Sequence, residues 1–245
     1  MHVQDYIKEQ LKKGTLHFAL IDPEKQDPKD AGKMARIAEE AGSSAIMVGG
    51  STISSPSVVD DTIKEIKRQV DLPVIIFPSS SKCISRYADA IFFMSLLNSR
   101  NPDYLIEEQA KGALLIKEFN IEPIPLGYIV VEPGMEVGKV GEANLIGRDD
   151  CDRAIRYALA AQYLGMSFVY LEAGSGADEA VPDEMIRSVK KHIDIPLIVG
   201  GGIKEGKTAI EKVKAGADII VTGSILEKDK NSIFEIVNSI KGVRK

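Results

Sequence analysis

Residues that commonly build metal sites and disulfide frameworks are scarce in this sequence. Its 245 residues include no tryptophan, three histidines and two cysteines, Cys83 and Cys151, which form neither a CxxC motif nor a cluster with histidine. A zinc site and a disulfide framework are therefore not expected, and the cysteine usage is typical of a reducing compartment.

Long apolar runs are missing as well. No run approaches the length of a transmembrane helix, and residues 1–13 are charged and helix-like, without the apolar centre of a signal peptide. We therefore expect a cytoplasmic protein that is neither exported nor inserted across a bilayer.

The sequence also lacks an excess of basic residues. It has 31 Lys and Arg against 36 Asp and Glu, a formal net charge of -5. Because nucleic-acid binding requires a basic face, this balance argues against nucleic-acid partners, and any anionic ligand must be held by a local site. Hydrophobic residues at 44% and charged residues at 27% are ordinary for a globular protein. We expect one domain over residues 1–245.

Strand-like and helix-like segments alternate along the whole chain. Eight apolar runs predict strands at Leu16–Ile21, Ala45–Val48, Val74–Phe77, Ala90–Met94, Pro123–Val131, Phe168–Leu171, Leu197–Val199 and Ile219–Val221. Amphipathic patterns predict helices at Lys29–Ala41, Val58–Val70, Tyr104–Phe119, Asp149–Leu164, Asp183–His192, Glu205–Ala215 and Ser232–Ile240. Continuous apolar strands are buried on both faces, so the pattern favours an α/β fold, a (β/α)8 barrel, over a doubly wound open sheet.

One unit of this barrel departs from the pattern. Residues 79–89 are too few for a full helix between the third and fourth strands. We expect a shortened, irregular or mobile segment in place of the third helix.

Glycines follow the seventh and eighth predicted strands. Gly200, Gly201 and Gly202 precede a helix, and Gly223 and Ser224 close the next strand. Glycines allow close approach of the backbone to a ligand, and barrels of this type commonly hold a phosphate at these two loops. A phosphate clamp is therefore predicted, with a tight turn that binds nothing as the alternative.

Carboxylates at other strand ends are candidates for chemistry. Asp22, after the first strand, suits a Mg2+ ligand, with a neutral oxygen from Ser51 or Thr52; the alternatives are an N-cap for Asp22 and a loop turn for Ser51. Glu172 and Tyr170 lie one pleat apart, so both should face the barrel mouth, where they could orient and deprotonate a hydroxyl. The alternative for Glu172 is a salt bridge with a barrel lysine.

Other polar residues carry weaker predictions. Gly174 and Gly176 allow close backbone approach or a flexible loop, and His17 is expected to be a hydrogen-bonded core residue. Four basic residues could meet a second phosphate group, although each is more often a surface charge: Lys82, Arg86, Arg100 and Lys139.

Five motifs occur in a recognisable order: F-A-L-I-D-P-E-K, M-V-G-G-S, M-S-L-L-N-S-R-N-P, Y-L-E-A-G-S-G and V-G-G-G-I. With them the chain, from about Phe18 to Ser224, resembles the geranylgeranylglyceryl phosphate synthase family. The segment Glu132–Ile146 resembles the archaeal-type branch, which makes relatives that use a longer heptaprenyl donor a less favoured alternative.

The resemblance implies a Mg2+-dependent prenyltransferase that joins sn-glycerol 1-phosphate to geranylgeranyl diphosphate. It implies that Mg2+ is bound by Asp22 and Ser51, that Glu172 takes the proton of the glycerol C3 hydroxyl, and that Tyr170 helps to hold the glycerol phosphate. The implied glycerol phosphate site comprises Tyr170, Leu171, Glu172, Ala173, Gly174, Ser175, Gly176, Gly201, Gly202, Gly223 and Ser224.

Further properties follow from the resemblance as expectations. Relatives are dimers or hexamers, so a homo-oligomer is expected, and the lipid product suggests transient membrane contact. The rival functions are a phosphate-binding barrel isomerase and a non-catalytic subunit that binds a phosphate ligand.

Overall fold

The computed structural model describes residues 2–51, 53, 55–223, 225, 230–241 and 243. Eight parallel strands form a closed barrel in the order β1 to β8. Their bounds are β1 Leu16–Ile21, β2 Ala45–Val48, β3 Val74–Ile76, β4 Ala90–Leu96, β5 Glu122–Val130, β6 Phe168–Glu172, β7 Leu197–Gly200 and β8 Ile219–Thr222. The barrel is closed by the pairing of β1 with β8, in which Leu16 lies opposite Ile219. The predicted barrel is confirmed, and an open sheet is excluded.

Helices surround the barrel in the described part of the chain. They are α1 Val3–Leu11, α2 Pro28–Ala41, α3 Pro56–Gln69, α4 Glu108–Phe119, α5 Met135–Val140, α6 Cys151–Tyr163, α7 Asp183–His192, α8 Gly206–Ala215 and α9 Lys230–Ile240. A π-helical turn, Asp103–Glu107, leads into α4. None of these helices is long and apolar enough to cross a membrane.

The unit between β3 and β4 is the irregular one. Only a three-residue 3-10 turn, Ser81–Cys83, lies there, so the predicted shortened segment is confirmed. No α-helix forms between β3 and β4, and the 3-10 turn packs instead against α3 and α4.

The residues at the two ends of α2 explain where this helix begins and ends. The side chain of Asp27 accepts a hydrogen bond from the amide of Asp30 and so caps α2, and Pro28 occupies its first turn. The helix ends at Gly42, whose φ of 97° is a left-handed conformation that favours glycine.

Apolar side chains form one layer inside the barrel and a second between the strands and helices. The interior layer includes Phe18, Phe92 and Phe168, and α1 closes its lower end with Ile7. His17 is buried in the barrel wall, with Nδ1 2.8 Å from Ser43 Oγ and Nε2 2.9 Å from Thr222 Oγ1. The prediction of a hydrogen-bonded core histidine is confirmed.

Candidate active site

A cavity of about 340 Å³ opens at the carboxyl ends of the strands. Its lining divides into a polar mouth and a longer apolar arm. The predicted site residues that line it are Asp22, Ser51, Glu172, Ser175 and Gly223. Strand ends that are distant in sequence therefore meet at one face of the barrel, as expected for this fold.

Glu172 is the acid at the centre of this mouth. It is the last residue of β6 and only 6% exposed. Its Oε1 accepts a hydrogen bond from the amide of Gly174 at 2.6 Å, and its Oε2 accepts one from the Tyr128 hydroxyl at 3.2 Å. Within the described part of the chain Glu172 makes no ion pair, so the salt-bridge alternative is not supported.

Burial raises the pKa of the Glu172 carboxyl, and the hydrogen bonds from Gly174, Tyr170 and Tyr128 only partly oppose this effect. A carboxylate whose pKa is raised is a stronger base than an exposed one. Glu172 is thus placed and tuned to accept a proton from a hydroxyl in the cavity.

Two tyrosines support this carboxylate from adjacent strands. Tyr128 and Tyr170 are register partners on β5 and β6, with ring centroids 5.1 Å apart at 82°. Tyr170 shares the face of Glu172, as the alternation predicted, but it lies below the mouth, 1% exposed, and does not line the cavity. A Cβ atom at Gly200 would come within 2.0 Å of the Tyr170 hydroxyl, so Gly200 leaves room for this ring.

Tyr128 lines the cavity and was not singled out from the sequence. It lies inside the long apolar run that predicted β5. The available signal was that Tyr128 is the one hydroxyl-bearing residue in that run, Pro123–Val131.

Asp22 lies at the end of β1, next to the glycines that follow β2. A Cβ atom at Gly50 would lie 2.5 Å from Asp22 Oδ1, so only glycine leaves space for this carboxylate. Lys25 Nζ lies 3.9 Å from Asp22 Oδ2. Ser51 lines the same cavity, whereas Thr52 lies outside the described residues. In the described chain no group of three or more His, Cys, Asp or Glu residues could hold a metal.

The glycines after β7 face Glu172 and the loop after β6. Gly201 and Gly202 have φ values of 81° and 70°. A Cβ atom at Gly201 would lie 2.4 Å from Glu172 Oε1 and 2.6 Å from the amide of Gly174. These glycines therefore allow the Glu172 turn to form, although neither lines the cavity.

The first amide of α8 already has a side-chain partner. The helix begins at Gly206, and the Gly206 amide donates to Glu235 Oε1 at 3.1 Å. The first amide of α8 is thus already bound, and the helix start is separated from the glycines by residues 203–205. Gly223 lines the cavity, while Ser224 lies outside the described residues.

The remaining predicted residues surround this mouth. Leu171 points into the layer between strands and helices, and Ala173 is buried there too. Gly174 and Gly176 have positive φ values of 103° and 78°, which a tight turn beside Glu172 requires.

The four basic candidates for a second phosphate do not line the cavity. The Arg86 guanidinium lies over the Phe119 ring, and Arg100 donates to Asn144 Oδ1 at 3.0 Å. Lys139 is 4.0 Å from Glu136, and Lys82 is exposed in the 3-10 turn. Among the described residues, Lys25 is the only Lys or Arg of the lining.

The apolar arm leaves the barrel interior above the short strand β3. Phe77 and Pro78, just after β3, line it, and so do residues from both faces of β4: Phe92 from the interior and Ile91 from the outer layer. The arm also runs along α4, where Gly112 and Ile116 line it, and past Ile84, which follows the 3-10 turn between β3 and β4.

The S-L-L-N-S-R-N-P segment holds helix α5, which covers part of this cavity, in place. Asn98 is 1% exposed. Its Oδ1 accepts a hydrogen bond from Val130 N at 3.0 Å. Its Nδ2 donates to Val130 O at 2.8 Å and to Asn144 O at 3.0 Å. Helix α5, which the sequence analysis missed, precedes Asn144 and contributes Val137 and Val140 to the lining. The motif thus fixes α5 over the site.

The family model and the curated relatives point to one family. The model of the PcrB family matches residues 4–241. The geranylgeranylglyceryl phosphate synthase of Pyrococcus horikoshii is 58% identical over 242 residues, with 99% of this chain and 95% of the relative covered. That of Thermococcus kodakarensis is 56% identical over 246 residues, with 98% of each covered.

Solved structures agree with this similarity. The (S)-3-O-geranylgeranylglyceryl phosphate synthase from Thermoplasma acidophilum, in complex with sn-glycerol-1-phosphate, has a TM-score of 0.96 at 47% identity, covering 99% of this chain and 100% of that chain. An N-acetylmannosamine-6-phosphate 2-epimerase from Clostridium perfringens has a TM-score of 0.59 at 16% identity and covers 92% of this chain. The second match shows only a shared fold.

Proposed function

The chain belongs to the PcrB family, and we propose that it is a geranylgeranylglyceryl phosphate synthase. The reaction joins the C3 oxygen of sn-glycerol 1-phosphate to C1 of geranylgeranyl diphosphate. The C1–O bond to the diphosphate breaks, and pyrophosphate leaves. The observation that carries this proposal is the buried Glu172 carboxylate, which lies where a polar mouth meets an apolar arm.

Glu172 takes the proton of the C3 hydroxyl as its oxygen attacks C1. Its carboxylate is fixed by Gly174 and Tyr128, so one acceptor position is held toward the substrate without further rearrangement. Burial excludes water, which would otherwise compete as a nucleophile for the allylic carbon. General-base catalysis of this kind contributes roughly 10² to 10⁴-fold in rate.

The glycerol phosphate binds beside Glu172, against residues 170–176 and the strand ends of β7 and β8. Gly223 and Ser175 line the mouth there. Close packing of Gly201 against Glu172 and Gly174 keeps the loop after β6 next to the loop after β7. Backbone amides of these loops are the donors expected to meet phosphate oxygens.

Mg2+ fits the donor set at Asp22 and Ser51. A carboxylate and a hydroxyl suit this ion, which is commonly held by one or two carboxylates with waters and substrate phosphate oxygens. Gly50 keeps the space beside the Asp22 carboxylate open. When bound, the ion neutralises charge on the leaving diphosphate. Lys25, paired with Asp22, adds positive charge at the same edge.

The apolar arm takes the prenyl chain. Its wall is mostly aromatic and aliphatic, which suits a hydrocarbon chain. This observation favours a prenyl donor over the substrate of a barrel isomerase. A heptaprenyl donor stays the alternative within the same chemistry.

The assay incubates the full chain with sn-glycerol 1-phosphate, geranylgeranyl diphosphate and Mg2+. Glu172→Gln should lower kcat/KM by about 10² to 10⁴-fold, and Asp22→Asn should raise the Mg2+ concentration needed for half-maximal rate. Glu184→Gln, an exposed glutamate on α7, is the matched control and should behave as the parent chain. If no prenylated glycerol phosphate forms with any donor length, the proposal is wrong. Full activity of Glu172→Gln would remove only its role as the base.

Location and assembly belong to the same proposal. The enzyme works in the cytoplasm as a homo-oligomer, a dimer or a hexamer, and contacts membranes transiently to deliver its product. Light scattering tests the assembly. Flotation with liposomes tests the contact, and no association with any vesicle would count against it.

A further inference from the structure

Arg148 connects the loops that follow two neighbouring strands, β5 and β6. It lies in the segment between α5 and α6 and does not line the cavity. Its Nη1 donates to the carbonyl oxygen of Glu132 at 3.2 Å, and its Nη2 donates to that of Ala180 at 3.0 Å. Glu132 follows β5, and Ala180 lies between β6 and α7. One guanidinium group therefore spans both loops.

The backbone just before Arg148 is held against the barrel wall. The amide of Ile146 donates to the carbonyl oxygen of Val130 at 3.2 Å, and its carbonyl oxygen accepts from the amide of Glu132 at 2.9 Å. These bonds pair Ile146 with the chain just beyond the end of β5. Arg148 thus reaches toward Ala180 from a fixed position.

Ala180 belongs to the β6–α7 loop, residues 173–182, which forms part of the polar mouth. At the start of this loop the Gly174 amide holds the Glu172 carboxylate, and Ser175 lines the cavity. Further along, a Cβ atom at Gly202 would lie 2.6 Å from the amide nitrogen of Ala180. The loop is therefore held at Ala180 twice, by packing against Gly202 and by the hydrogen bond from Arg148.

The bond from Arg148 to Ala180 differs from a surface ion pair. Ala180 is 6% exposed, and the Arg148 side chain is 32% exposed. A hydrogen bond from a charged donor in such a setting is stronger than an exposed pair. Arg148 Nη2 also lies 3.1 Å from Glu179 Oε2, but the Glu179 side chain is 74% exposed. This ion pair should therefore contribute little.

We infer that Arg148 is a positioning residue for the glycerol phosphate, because it fixes the β6–α7 loop in the conformation that forms one wall of the mouth. The inference rests on the proposed function, in which this loop meets the glycerol phosphate. Without Arg148 the loop must be ordered when the ligand binds, which lowers the affinity. The prenyl diphosphate occupies the apolar arm and the Asp22 edge, so its binding should not depend on Arg148.

The experiment compares the full chain with its Arg148→Ala and Arg148→Lys variants. Calorimetric titration with sn-glycerol 1-phosphate gives Kd without turnover, and the assay with geranylgeranyl diphosphate and Mg2+ gives kcat and both KM values. Arg148→Ala should raise Kd and KM for sn-glycerol 1-phosphate roughly tenfold, since a misplacement of about 1 Å away from the chemistry is enough for an effect of this size. KM for the prenyl diphosphate and kcat at saturating glycerol phosphate should change little.

Arg148→Lys tests the geometry of the guanidinium group. Lysine keeps the positive charge but lacks the planar fork that serves both carbonyl groups in fixed directions. Kd for sn-glycerol 1-phosphate should therefore rise above that of the parent chain, but less than in Arg148→Ala.

Two matched variants separate this role from a general loss of stability. Arg153→Ala also removes a guanidinium that donates to two carbonyl groups, those of Leu145 at 3.0 Å and Asn144 at 2.9 Å. Neither carbonyl lies in the β6–α7 loop, so Kd for sn-glycerol 1-phosphate should equal that of the parent chain. Glu179→Gln removes only the exposed ion pair and should also behave as the parent chain. Melting temperatures identify variants that do not fold.

The outcomes separate the possibilities. An unchanged Kd for sn-glycerol 1-phosphate in Arg148→Ala overturns the inference, and so does an equal rise in Arg153→Ala, because general loosening would then be the cause. If Arg148→Ala does not fold, a Kd of Arg148→Lys equal to that of the parent chain overturns it. If the parent chain neither binds sn-glycerol 1-phosphate nor converts any prenyl donor, the proposed function is wrong, and this inference with it.

Discussion

The hydroxyl of Tyr128 donates to Oε2 of Glu172 across 3.2 Å, in the buried floor of the cavity. The two residues lie on neighbouring strands and are 44 positions apart in the chain. Since the bond stabilises the ionised carboxylate, it opposes the rise of the Glu172 pKa that burial causes. Tyr128 thus lowers the pKa of Glu172, the proposed base, without being adjacent to it in sequence.

Tyr128→Phe should reduce catalysis and shift its pH dependence. Loss of the hydrogen bond raises the pKa of Glu172 further, so the acid limb of the pH profile of kcat/KM moves to higher pH. A hydrogen bond to a charged group contributes about 1.5–3 kcal/mol, so on this acid limb kcat/KM should fall about tenfold or more. Tyr6→Phe, which removes a tyrosine bond to Ser44 O at the lower end of the barrel, should leave the profile in place.

Glu172→Gln should gain stability over the parent chain as pH rises. The pKa of Glu172 is raised in the folded state, so above its ordinary value of 4.5 the folded state binds more protons than the unfolded state. The parent chain therefore loses stability as pH rises from 4.5 toward the raised pKa, and the variant does not. Urea unfolding across this pH range measures the difference. A difference that shrinks with rising pH would contradict the prediction.

His17 should produce the opposite dependence at lower pH. Burial lowers its pKa to about 3 from an ordinary 6.5. As pH falls below 6.5 the unfolded chain takes up a proton that the folded chain does not, so stability falls by about 1.4 kcal/mol per pH unit toward pH 3. His17→Gln should lack this slope even if it is less stable at every pH. The exposed His192→Gln variant should retain it.

Asn98→Ala should weaken both stability and donor binding. The substitution leaves the Val130 amide and two carbonyl groups without their side-chain partner, at a cost of about 2–4 kcal/mol. Loosening of α5 should raise KM for the prenyl diphosphate more than KM for glycerol phosphate. Asn101→Ala removes an exposed bond to Glu142 from the same motif and should change both far less.

Much of the fold follows from local pattern. β1 and β2 have the predicted bounds, α7 runs from Asp183 to His192 as predicted, and the reduced third unit was visible in the shortness of residues 79–89. Helix α5 was missed because its six residues contain too few turns to show a period.

The site was predictable only in part. Asp22 and Glu172 could be placed at strand ends, because parallel strands bring their carboxyl ends to one face. The hydrogen bond from the first amide of α8 to Glu235, on α9, could not be predicted. Contacts between segments that are distant in the chain produce no pattern among neighbouring residues of the sequence, so they could not be predicted from it.

The sequence by itself therefore determined the alternation of strands and helices, the glycines at the strand ends and the acids beside them. These features depend on periodicity and backbone freedom within a few residues. Only the tertiary structure decided that Tyr128 bonds Glu172, that Gly201 makes room for the same carboxylate, and that Ile84 packs against Gly112 in the cavity wall. Such distances depend on strand register and barrel closure, which arise from the packing of the whole chain.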